Sequence, residues 1–125
     1  MDREDIYKKI VDYVREYKGV TFVEIEQILK DNGIPVKGEA QFGWLDQNIL
    51  VWGGMSKEML DIVEHLIRTK QIYCHPASVL IYLADGRIPA MPIAKKDKKY
   101  KESHWLPICF NVMPPVMKEV NNIEK

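Results

Sequence analysis

The densest chemistry in this chain is a run of lysines. Residues 95–101 read Lys-Lys-Asp-Lys-Lys-Tyr-Lys, five positive charges against one negative. Lysine ammonium groups are compact point charges that hold phosphate rather than read bases. Tyr100, within the run, can stack on a base or a sugar. With Arg87 upstream, Lys95, Lys96, Lys98, Lys99 and Lys101 form a candidate phosphate-holding set. Four or five such contacts on a duplex would give a log–log salt slope of about −4. The same run also reads as a solvated, solubilising loop.

Other reactive side chains are sparse. Cys74, His75, His104 and Cys109 assemble into a zinc set on paper. Neighbouring residues on a strand point to opposite faces, so Cys74 and His75 are poorly placed to share one metal. Four residues separate His104 from Cys109, which is no tight chelate either. The run Gly53-Gly54-Met55-Ser56 opens a helix, where free backbone N–H groups attract phosphate, but no Walker or dinucleotide pattern surrounds it. Neither a Gly-x-Ser-x-Gly elbow nor a paired nucleophile and base is present, and Glu24 and Glu26 lie on different helix faces. The expectation is no catalytic residue, no metal and no cofactor. Trp44, Trp52, Trp105, Tyr73 and Tyr82 read mainly as core, with a protein-contact patch as the second possibility.

The chain that must position these groups has 125 residues, 46% hydrophobic and 29% charged, enough for one continuous core. Eighteen basic residues balance eighteen acidic ones. Dedicated nucleic-acid binders are usually basic, so any basic face must be local. Two cysteines are too few for a disulfide framework. The start, Met1-Asp2-Arg3-Glu4-Asp5, lacks the apolar stretch of a leader. The longest apolar run, residues 79–84, falls far short of the roughly 20 needed to span a bilayer. A cytoplasmic protein with no membrane partner is expected, with a domain over residues 1–113 and a tail over 114–125.

Hydrophobic spacing predicts a first helix over residues 2–18, carried by Ile6, Ile10, Val14 and Tyr17 and closed by Gly19. Thr21-Phe22-Val23-Glu24 is a capping box that starts a second helix, with Val20 and Ile25 as its staple and Asn32-Gly33 as its stop. Residues 34–47, with Gly38 and Gly43, read as loop anchored by Phe42 and Trp44. Residues 48–52 read as a short strand broken by Gly53-Gly54. Ser56 caps a third helix running to about Lys70, with Met59, Val63, Leu66 and Ile67 inward. Residues 72–75 and 79–83, followed by Asp85-Gly86, predict a hairpin. Residues 105–112 predict a last strand, and 116–123 a terminal helix. These elements define an α+β fold.

The order of helix, capped helix, helix and hairpin resembles the winged helix-turn-helix superfamily, best from Leu66-Ile67-Arg68-Thr69-Lys70-Gln71-Ile72-Tyr73 through Tyr82 and Asp85-Gly86. The resemblance covers residues 3–86 and implies a winged-helix-like fold: three helices, a small antiparallel sheet and a long insertion between helices 2 and 3. That link, residues 33–55, is much longer than the standard tight turn. Residues 52–107 also resemble small uncharacterised bacterial or phage proteins, a likeness that implies no activity. In the family the third helix enters the major groove. The resemblance therefore adds Lys57, Arg68 and Lys70 to the candidate set. Glu58, Asp61 and Glu64 on the same helix oppose phosphate. The resemblance implies a transcription-regulator-like protein that binds double-stranded DNA as a homodimer. A protein-interaction module that lost the DNA face is the alternative.

Overall fold

The computed structural model describes residues 2–84, 86, 91–94 and 99–115. Helix α1 (Arg3–Tyr17) begins where the Asp2 carboxylate accepts from the Asp5 N–H at 3.0 Å. Its inward stripe is Ile6, Ile10 and Val14, spaced by one turn and fully buried. Helix α2 (Phe22–Asp31) carries the expected capping box: Thr21 Oγ accepts from the Glu24 N–H, and Glu24 Oε1 accepts from the Thr21 N–H. Gly33, at φ +76°, takes the chain out of the helix in the left-handed conformation that suits glycine.

Between α2 and α3 the chain forms a hairpin, not a loop. Strand β1 (Lys37–Trp44) pairs antiparallel with β2 (Ile49–Met55) through a 3₁₀ turn at Leu45–Gln47 and a left-handed Asn48. The two glycines that suggest loop are what allow the strands to meet. A Cβ at Gly38 would sit 2.5 Å from the Met55 carbonyl oxygen, and one at Gly43 would collide with the Ile49 carbonyl. Register shifts fall beside both positions, as expected where a strand bulges. Strand β2 also runs through Gly53 and Gly54, which were expected to break it.

Helix α3 (Lys57–Arg68) starts as predicted, with Ser56 Oγ accepting from the Met59 N–H. It buries Met59, Ile62, Val63 and Leu66. The hairpin predicted next is not present. Residues 79–83 belong to helix α4 (Val79–Ala84), and β3 (Tyr73–Pro76) pairs antiparallel with the distant β5 (Ile108–Asn111). The predicted strand over 105–112 is two pieces, β4 (His104–Trp105) and β5, split at Leu106 and Pro107. Proline has no N–H for a ladder.

Among the described residues the result is a mixed α+β fold of four helices, a three-stranded sheet ordered β1-β2-β4 and a two-stranded sheet β3-β5. The β2–β4 pair is parallel, so the sheet is not purely antiparallel. One core cluster takes residues from all four helices and from β2, β4 and β5. A chain of rings runs through it. Phe110 meets Phe22 at 4.9 Å, Phe22 stacks on Trp52 at 5.6 Å, Trp52 meets Tyr82 at 5.4 Å and Tyr82 meets Trp105 at 5.2 Å. Such pairs add about 0.5–1.5 kcal/mol each beyond area burial. They tie the connection over residues 77–107 to the helical core.

The expected terminal helix over 116–123 lies outside the described residues.

Candidate nucleic-acid interface

Of the candidate lysines, Lys99 and Lys101 lie at the tip of the β1–β2 hairpin. The Tyr100 N–H donates to the Gln47 carbonyl at 2.9 Å. Asn48 Nδ2 donates to the Tyr100 carbonyl at 2.7 Å, and the His104 N–H donates to the Asn48 carbonyl at 2.8 Å. Asn48 reaches both ways because its left-handed backbone, φ 59°, turns the hairpin there, a conformation asparagine tolerates. The Tyr100 and His104 rings stack with centroids 3.8 Å apart, and His104 Nδ1 lies 2.8 Å from the Glu102 carbonyl oxygen. Residues 100–104 are thus bound to the hairpin by backbone groups and the Asn48 side chain, and the ring stack braces the segment internally.

Lys99 and Lys101 flank Tyr100 and are exposed. On the hairpin side, Trp44 and Leu45 are each 48% exposed, a large apolar pair held out at a rigid turn. Asp46 and Glu102 are exposed in the same patch and offset the two described lysines. In the adjoining sequence Lys95, Lys96 and Lys98 stand against one acid, Asp97. Those residues and Arg87 lie outside the described residues. Trp44 was read as a core anchor. Its neighbours Trp52 and Trp105 are buried, at 4% and 0% exposure, and it is not.

The three α3 candidates are not part of this cluster. Lys57 and Arg68 are both exposed but sit at opposite ends of the helix, about 16 Å apart at ~1.5 Å rise per residue. Lys70 follows, exposed, at φ 60°. The whole length of β2 separates Lys57, at the hairpin root, from the tip, about 20 Å at ~3.3 Å per residue. The solvent face between Lys57 and Arg68 holds Glu58, Asp61 and the half-buried Glu64. His65 is half-buried and stacks on Tyr7 at 4.2 Å with ring planes 11° apart. It joins α3 to α1.

The remaining constellations are absorbed by packing. Ser56 Oγ both caps α3 and donates to the Pro35 carbonyl at 2.7 Å, which leaves the glycine–serine turn no free hydroxyl. Cys74 is opposite Phe110 in the β3–β5 register, and Cys109 is opposite His75. The two thiols therefore sit on opposite sheet faces. Burial, with a smaller contribution from Cys109, pushes the Cys74 thiol up to about 12. It stays protonated and inert at neutral pH. Among the described residues no three of His, Cys, Asp and Glu converge as a metal site. An open groove on α1 and α2 contains Tyr13, Glu24, Gln27 and Asp31. Those groups bond to one another, Tyr13 to Glu24 at 2.7 Å and Gln27 to Asp31 at 2.8 Å.

No helix among the described residues is long and apolar enough to cross a membrane. Compared with known proteins, the chain matches no family model, no curated protein and no solved structure.

Proposed function

We propose that this chain is a non-catalytic nucleic-acid-binding protein on a winged-helix plan. It holds phosphate through Lys99, Lys101 and the lysines that precede them. The plan is supported by α1, α2 and α3 packing on one core in the order the family resemblance implies. A paired strand leaves the third helix, and Val20, between α1 and α2, bridges to Phe110 on β5. Helix α4 and strand β4 take the place of a short wing.

The observation that carries the function is the juxtaposition at the hairpin tip. Two exposed lysines flank a stacked Tyr100–His104 pair, bonded to a turn that exposes Trp44. Basic groups with interleaved aromatics suit a polyanion with flat bases. The mixed-charge face of α3 makes this helix a poor reader of the major groove, so contact is with the backbone and independent of sequence. The test is a low-salt titration of fluorescein-labelled nucleic acid. Wild type shifts the label's anisotropy, and the variant with Lys95, Lys96, Lys98 and Lys99 all changed to glutamate does not. No shift for wild type at tens of micromolar protein contradicts the proposal, since phosphate-driven binding lies in that range or tighter.

One observation favours a second reading, a protein-interaction module. Helix α4 buries Tyr82 yet leaves Leu80 66% and Leu83 53% exposed, an apolar pair of the kind interfaces use. Sedimentation separates a self-associating form from a monomer. A dimer that Leu80→Asp with Leu83→Asp dissociates supports this reading, and a monomer at all concentrations removes the homodimer.

A further inference from the structure

We propose that Trp44 is a base-stacking platform and that the hairpin tip prefers single-stranded nucleic acid to duplex. The inference rests on the nucleic-acid reading above and specifies its ligand.

The geometry sets the preference. Trp44 closes β1 opposite Ile49 and precedes the 3₁₀ turn, so its backbone is fixed by the strand pair. Half of its surface is in solvent, and Leu45 beside it is equally exposed. With only two side-chain torsions, the indole loses little entropy when it is immobilised on binding. Both faces of a duplex base are covered by its neighbours, so an indole can reach one only by opening a base step. The cost of that opening is of the same size as the gain from one stacked base. An unpaired base demands no such opening.

Charge does not set this preference: the described patch carries Lys99 and Lys101 against Asp46 and Glu102, and a cationic patch gains more from the denser phosphates of a duplex. Stacking on Trp44 must outweigh that gain. Asp46, exposed between Leu45 and Gln47, argues against the other surface that an exposed Trp–Leu pair suits. A carboxylate at the tip would have to enter the interface of an anionic bilayer with them.

The experiment uses the full chain, a 15-nucleotide oligo-dT, a mixed-sequence duplex of equal length, and phosphatidylserine-containing vesicles. Trp52 and Trp105 are buried, so quenching of tryptophan emission on binding reports Trp44. The expected result is oligo-dT bound about ten-fold or more tighter than duplex, with quenching. Trp44→Ala should weaken oligo-dT on the order of ten-fold while leaving duplex unchanged, and Trp44→Phe should retain most of the affinity. Emission from the buried tryptophans and far-ultraviolet dichroism check that each variant is folded, and Leu45→Ala serves as a second probe of the tip.

Equal affinities for the two nucleic acids, or a folded Trp44→Ala that binds oligo-dT as wild type does, overturn the inference and leave the nucleic-acid reading standing. Binding of neither nucleic acid overturns both. Vesicle binding with a blue shift of Trp44 emission and no oligonucleotide binding also overturns both, and assigns the tip to membranes.

Discussion

Replacing Tyr82 by phenylalanine removes one oxygen atom and tests how residues 77–107 are anchored. Val20 and Phe110 exchange two backbone hydrogen bonds, at 3.1 and 2.8 Å. In a continuing antiparallel ladder the next such pair would join residue 22 to residue 108. There the chain has already turned into α2, and the Tyr82 hydroxyl takes up the missing rung. It accepts from the Phe22 N–H at 3.4 Å and donates to the Ile108 carbonyl at 2.6 Å. Tyr82 is fully buried. Without the hydroxyl, two desolvated backbone groups lose a partner. Leaving such a group unpaired costs about 1–3 kcal/mol, and the longer bond contributes less, so a total of about 2 kcal/mol is expected. At an unfolding entropy of ~2.1 cal/mol/K per residue, a chain of 125 residues would lose about 8 °C in Tm. Urea unfolding followed by tryptophan emission should show a lower midpoint with an unchanged m-value. A Tyr82→Phe protein within about 0.5 kcal/mol of wild type would mean that the hydroxyl does not replace the missing rung.

Three further outcomes follow from the same structure. Lys18 sits at φ 50°, ψ 147°, a region almost confined to glycine, so Lys18→Gly should stabilise the protein by about 1 kcal/mol in chemical denaturation. Gly38→Ala would place a Cβ 2.5 Å from the Met55 carbonyl oxygen and 2.8 Å from Ser56 Cα, and should destabilise by roughly 1–3 kcal/mol on the same assay. The Cys74 thiol, pushed from 9.0 to about 12, is favoured in its protonated form by folding. The stability this contributes is present below pH 9 and is lost as pH rises from 9 towards 12. At pH 9, iodoacetamide should modify Cys74 at least ~10-fold more slowly than a free thiol, by peptide-resolved mass spectrometry; labelling at the free-thiol rate would contradict the raised thiol pKa.

What the sequence made legible were the elements with strong local chemistry. The Thr21–Glu24 box, the Ser56 cap and most of the stripes of α1 and α3 depend on residues three or four apart, although Tyr17, expected on the first stripe, is 60% exposed. Strand β1 was hidden because its glycines, read as loop, serve close strand approach. Helix α4 was hidden because Val, Ile and Tyr are β-prone and Asp85-Gly86 imitates a hairpin turn. One signal did point to a helix there: Ser78 Oγ accepts from the Leu80 N–H at 3.1 Å, a cap visible as a serine just before the apolar run. The β3–β5 pairing joins residues more than thirty positions apart, which no local rule reaches. Of the candidate site, Lys99 and Lys101 were found through charge alone. Trp44 was missed as a surface residue because an apolar ring in a strand gives no sign in sequence of which face it occupies.

Under the proposed function, phosphate is held beside the hairpin tip and not along α3. The most direct test compares two charge reversals on one labelled oligo-dT at low salt: Lys99→Glu with Lys101→Glu, and Lys57→Glu with Arg68→Glu. The first pair should abolish the anisotropy change and the second should leave the affinity within about two-fold. If the α3 pair abolished binding and the tip pair did not, the interface would lie on the helix and the account would be wrong.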